Sequence, residues 1–138
     1  MRKTKLLSLA ALLIIAYGCS APRTMTFPGT QDPASDYYVI KIDSLEINST
    51  SNPTRVIARG IAGNNGCERF VLADTERIGY QMHVTFWGAR PKQPQGCTQA
   101  LVPLRHELLL PTVASNPNTG VNTIVVRQPD GTRLLRAF

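Results

Sequence analysis

The side chains able to do chemistry in this chain are few and widely spaced. Cysteines stand at positions 19, 67 and 97, and the only histidines are His83 and His106. Covalent catalysis needs a Ser, Thr or Cys beside a base, with a third group orienting that base. His83 alternates with Gln81, Thr85 and Trp87 and so projects from a half-polar strand face. His106 shares a face with leucines and reads as a partly buried structural residue. The acids Asp43, Glu46, Glu68, Asp74, Glu76, Glu107 and Asp130 are sparse. Glu68 and Glu107 can approach in space, yet each also fits a turn or an exposed strand position. The chain has no GxSxG, no P-loop, no dinucleotide fingerprint and no calcium loop. Neither histidine has ligand-type spacing to a cysteine. The expectation is a non-catalytic protein with no metal and no cofactor.

Binding chemistry has a better candidate. Trp87 leads into a loop carrying Arg90 and Lys92, and His83 lies on the same strand face. An exposed Trp beside cationic residues serves as a contact hot spot or stacks on a sugar ring. Trp87, His83, Arg90 and Lys92 are therefore the expected binding surface. The competing reading turns Trp87 inward, or covers it with the other sheet or with the segment before the domain. The net charge of +6 is scattered, with no run of Lys or Arg after the first residues, and Arg55/Arg59 and Arg133/Arg136 are no more than close pairs. Nucleic-acid footprints are denser, so no nucleic-acid partner is expected. A mild excess of this kind suits a solvated face, or weak attraction to anionic lipid or envelope polymer.

The elements that position these residues begin with an address. Arg2, Lys3 and Lys5 form a basic head, and Leu6 to Ala16 is apolar except for Ser8. This is the anatomy of an export signal, and the run falls short of the roughly 20 apolar residues that cross a bilayer. Half of the net charge belongs to that head. The sequence Ala16-Tyr17-Gly18-Cys19 resembles the lipobox of bacterial lipoproteins. The resemblance implies cleavage after residue 18, a diacylglyceryl group on the Cys19 sulfur and an acylated new amine. Several acyl chains give stable membrane attachment. Ser20 follows the cysteine, which by the sorting pattern of Gram-negative lipoproteins implies the outer membrane, facing the periplasm or the cell surface. With Cys19 lipidated, Cys67 and Cys97 remain, and an exported pair most simply forms one disulfide.

Residues 19–36 carry three prolines and many small polar residues, and read as a flexible tether. Phe27 is its one residue suited to docking back. The domain spans 37–138. Tyr37–Ile47 alternates strictly and then shifts phase, which predicts a long strand with a bulge near Asp43-Ser44. Strands follow at 55–62, with a possible bulge at Gly60, and at 69–73. Asp74–Arg77 reads as a connection. The strand 78–88 places Tyr80, Met82, Val84 and Phe86 on a core face. The run after Cys97 holds Pro103 and so belongs to an edge. A final hairpin is signalled by Pro129-Asp130-Gly131 between apolar runs.

About seven short strands with turn signals between them predict an all-β antiparallel sandwich, with a small antiparallel barrel as the alternative. Counting strands up and down puts Cys67 and Cys97 at the same end of the sheet, which permits the bridge. The "GC" after a turn, the "CTQ" opening a later strand and the final hairpin resemble small bacterial lipoproteins with an immunoglobulin-like sandwich. A fold of that kind names no activity. The expected function is a membrane-anchored binding or structural module of the cell envelope, meeting an envelope protein or cell-wall polymer. The alternative is a periplasmic inhibitor of a lysozyme or protease that inserts the proline-stiffened 89–97 loop.

Overall fold

A computed structural model describes residues 25–51, 53–110 and 121–137. The expected signal segment and Cys19 lie outside the described residues. The described residues form eight strands: β1 Ser35–Val39, β2 Lys41–Asn48, β3 Thr54–Gly63, β4 Arg69–Ile78, β5 Gln81–Pro91, β6 Val102–Leu110, β7 Thr123–Arg127 and β8 Arg133–Ala137. They build two sheets and no closed barrel. One sheet runs β2-β3-β6, and the other holds β1, β4, β5, β7 and β8. The all-β sandwich and the disulfide therefore hold as expected. Two details differ: there are eight strands, and β7 runs parallel to β5.

The extra strand comes from dividing the first one. Tyr37–Ile47 starts in one sheet and ends in the other. β1 pairs antiparallel with the upper part of β5, Val39 opposite Trp87. Ile40 turns the chain, its N–H donating to the Phe86 carbonyl at 2.8 Å. β2 then pairs with β3, and its register shifts between Ile42 and Ser44, at the expected bulge. There the backbone N–H and C=O of Ile42 face no strand. The Gln128 side chain meets both, accepting from the N–H at 3.0 Å and donating to the carbonyl at 2.8 Å. Gln128 is buried, so this is a full replacement for a missing ladder pair.

The expected bulge at Gly60 lies elsewhere. The β3–β6 register shifts between Ile61 and Gly63. Gly60 instead lets two backbones approach, since a Cβ there would collide with the Lys41 carbonyl oxygen. The expected connection at Asp74–Arg77 is a continuation of β4, paired with β5 down to Ile78–Gln81. Polar residues fit there because β4 pairs only with β5 among the described strands and shows much of its length to solvent. The chain reverses at Gly79, whose φ of 59° is open to glycine. Tyr80 sits in that turn, 48% exposed, and is not part of the core.

β5 is the centre of its sheet. β4 lines one edge, and β1 and β7 share the other. Met82 through Ala89 are all buried. The inner face packs Phe86 and Val84 against Ile40, Val56 and Ile124 of the core. Each such side chain contributes about 1.5–3 kcal/mol by leaving water. β6 keeps the expected alternation, with Leu104, Leu108 and Leu110 buried. Pro103 falls near its start, opposite Ile61, and β6 pairs only with β3 among the described strands, as an edge position requires. The β7–β8 hairpin closes through Gly131, at φ 81°.

The two sheets are joined at one end. Cys67 and Cys97 form the disulfide, their Cα atoms 5.3 Å apart. The Gly66 N–H donates to the Thr98 carbonyl at 2.9 Å beside it. On the inner side the Tyr38 hydroxyl donates to the Ala62 carbonyl across the sandwich. Burial pushes the Tyr38 phenol up to about 12.

Two stability measurements follow. Replacing both Cys67 and Cys97 by Ala should cost about 3–4 kcal/mol, the chain entropy released when a loop of about thirty residues opens. The difference is read in urea between the oxidised parent and the double variant. Gln128→Leu strands both polar groups of Ile42 and should cost about 2–4 kcal/mol. An unchanged midpoint would mean that water replaces the amide without loss.

Candidate functional site

The outer face of the β5 sheet is a grid set by register. Leu72, Trp87 and Val39 form one row. Asp74, Thr85, Arg127 and Arg133 form the next, with Asp74 opposite Thr85 and Arg127 opposite Arg133. Glu76, His83, Val125 and Leu135 form a third. Strands lie about 4.8 Å apart, so the second row spans roughly 14 Å from acid to base.

The segment expected to be a free tether lies on this face. Phe27 is 8% exposed. Its ring stacks on Tyr37 at 4.0 Å between centroids and meets Trp87 edge-on at 5.6 Å. Downstream, the Asp32 carboxylate caps the turn, accepting from the Ala34 N–H and the Ser35 hydroxyl. Those bonds hold the Asp32 carboxyl below its ordinary value. The chain from Met25 to Ala34 is thus a strap over the β5 face.

Beside the strap opens a cleft of about 650 Å³. Met25 and Thr26 form its strap side, Asp74 and Thr85 come from β4 and β5, and Trp87 lies under the strap. The far side is the final hairpin, with Arg127, Gln128, Thr132 and Arg133. A volume of this size suits a small ligand. The Arg127 guanidinium pairs with Glu76 at 3.3 Å, diagonally over His83. Arg133 has no carboxylate within ion-pair distance among the described residues. A smaller cleft of about 320 Å³ lies between the strap and β1, touching Trp87 and Lys92.

The four residues expected to form one binding surface are separated by the fold. Trp87 is 5% exposed and His83 is 7% exposed, so neither stands on an open face. The alternation reading treats the face opposite the core as solvated. β5 is central, and the strap covers Trp87. Arg90 lies on the other side, its guanidinium 5.9 Å above the Tyr38 ring. Lys92 is exposed at the head of the loop, its Nζ donating to the Pro33 carbonyl at 2.7 Å. Only Trp87 lines the larger cleft. Glu68 and Glu107 stay apart: Glu68 accepts from the Asn64 N–H, and Glu107 pairs with Arg55 at 3.6 Å.

No protein-family model matches this chain, and no curated protein or solved structure matches it either. The site therefore rests on its own chemistry. Among the described residues no three His, Cys, Asp or Glu side chains gather as a metal would need. Two buried polar atoms lack hydrogen-bond partners, the Trp87 Nε1 and the His83 Nδ1. Such atoms are uncommon in native folds and ask for an explanation. The other His83 nitrogen meets the Gln81 Oε1 at 3.1 Å.

Sequence reading missed Asp74, Arg127 and Gln128 as site residues. Arg127 and Arg133 flank the five-residue turn symmetrically, so the hairpin signal already set them opposite each other. Nothing in the sequence placed that hairpin beside β5.

Both histidines report on this packing. Burial lowers His83, with Arg127 and Arg133 adding repulsion and Glu76 opposing them. Burial alone lowers His106, which packs between Phe70 at 4.7 Å and Phe86 at 6.0 Å. The unfolded chain binds these protons near the ordinary value of 6.5, while the fold binds them only at lower pH. Stability is therefore full above about pH 7 and falls as pH drops through 6.5 toward the lowered values. Asp32 and Asp130, lowered by hydrogen bonds, act in a separate range below about pH 4. Urea midpoints should fall between about pH 7.5 and pH 5. His106→Phe should flatten part of that slope, and an equal slope in the variant would contradict this origin.

Proposed function

We propose that this chain is a lipid-anchored, non-catalytic binding module of the cell envelope, attached through Cys19 to the outer membrane. The strap carries this reading. Phe27, eight positions after Cys19, is fixed beside a cleft built of guanidinium, hydroxyl and indole groups. Eight residues reach at most about 29 Å when extended. An anchor at Cys19 would therefore hold the cleft close to the membrane surface, within reach of an envelope protein or cell-wall polymer. The Cys67–Cys97 disulfide suits an oxidising compartment, as export requires.

A second reading has its own observation. Residues Lys92 to Gly96 are exposed, and the loop is pinned at one end by Cys97 and at the other by the Lys92 bonds to Pro33 and Ala34. A projecting, held loop of this kind suits insertion into a hydrolase cleft.

Cys19→Ala should move the protein from the membrane to the soluble fraction, and mass spectrometry of the parent should find a diacylglyceryl cysteine at its amino terminus. An unmodified terminus downstream of Cys19 would end the anchor reading. Capture from detergent-solubilised envelope separates the two functions. Wall fragments or an envelope assembly as the dominant partner support the binding module, and a hydrolase lost on deleting 93–96 supports inhibition.

A further inference from the structure

The final hairpin places two cations directly opposite each other. Arg127 and Arg133 are cross-strand partners, an arrangement that costs stability when left uncompensated. Glu76 serves Arg127 alone. Trp87 also lines the cleft. With Glu76 taken by Arg127, the Arg133 fork is the one of the two left needing an acceptor that carries negative charge. The opposite wall limits that charge. Glu76 offsets Arg127, so Arg133 brings the one cationic charge of the hairpin without an ion pair among the described residues, with Asp74 lining the cleft from β4. A monoanion suits that balance, while a dianion meets repulsion from Asp74.

We propose that the cleft holds a small hydroxylated monocarboxylate, such as an acidic sugar. Its carboxylate is received by Arg133 beside Arg127, and its hydroxyls turn toward Asp74 and Thr85. Guanidinium forks bind carboxylates with two parallel hydrogen bonds, which favours this group over a neutral acceptor. The strap residues Met25 and Thr26 close the side nearest Trp87.

Trp87 is the only tryptophan in the chain, so its emission reports the cleft directly. The full chain is titrated in a polyoxyethylene detergent with glucuronate, with glucose as the neutral control and with inorganic phosphate. Glucuronate should change the emission saturably below about 10 mM, and added salt should weaken it. Glucose should do nothing, and phosphate should bind more weakly. Arg133→Gln, at an exposed position, should reduce affinity about 10-fold or more, with a urea midpoint that does not fall. Asp74→Asn should increase it, a sign that a purely structural role would not produce. A silent titration, an equal response to glucose, tighter phosphate, or unchanged affinity in Arg133→Gln would overturn the assignment. The inference deepens the binding-module reading but not its anchor. A failed titration removes this ligand and leaves capture from the envelope intact, and failed capture with saturable glucuronate removes only the partner.

Discussion

One stretch of chain belongs to both sheets, and two sets of hydrogen bonds hold it there. A strand that leaves its sheet exposes backbone groups that must find new partners in a dry interior. At Ile40 the partner is the Phe86 carbonyl of the sheet being left. At Ile42 it is the Gln128 amide, which has the donor and acceptor of a peptide group on a side chain. This exchange fixes where β1 ends and β2 begins. The length of β1 in turn decides how much of the β5 edge remains for β7. The register of the whole outer face, and so the rows that make the cleft, follows from that division.

Much of the fold could be read from alternation and turn chemistry. The bulge at Asp43, the proline of an edge strand at Pro103, the closing hairpin at Gly131 and the disulfide all have local signals. The failures share a cause. Periodicity records which side chains alternate, and says nothing about what covers either face. Asp74–Arg77 looked like a loop because polar residues crowd together there, yet an edge strand with one solvated face accepts them. Trp87 is out of phase with the core, which left it either bare or covered, and it is the segment before the domain, through Phe27, that covers it. The parallel β5–β7 contact joins elements far apart in sequence and leaves no local mark.

The strap changes the character of the amino-terminal region. Its composition predicts a free linker, but one aromatic residue suffices to dock it, because Tyr37 and Trp87 present two ring surfaces at the right separation. The docked strap covers Trp87 and builds one wall of the cleft. The strap and the cleft are thus one mechanical unit, and a pull on Met25 or Thr26 bears directly on the cleft wall.

The parallel strand also governs the order of assembly. β5 cannot fill its second edge until β7 is present, and Ile42 waits on Gln128, 86 positions later. Contacts of such sequence separation slow folding, since a large loop must close before they contribute. A chain made from its amino terminus therefore keeps one stretch of its central strand's edge, Gln81–Val84, unpaired until the last residues arrive. The segment that completes the cleft is the same one that completes the fold. The site comes into being only with the finished domain, and a chain cut short before the hairpin leaves the Gln81–Val84 edge of β5 open to its neighbours.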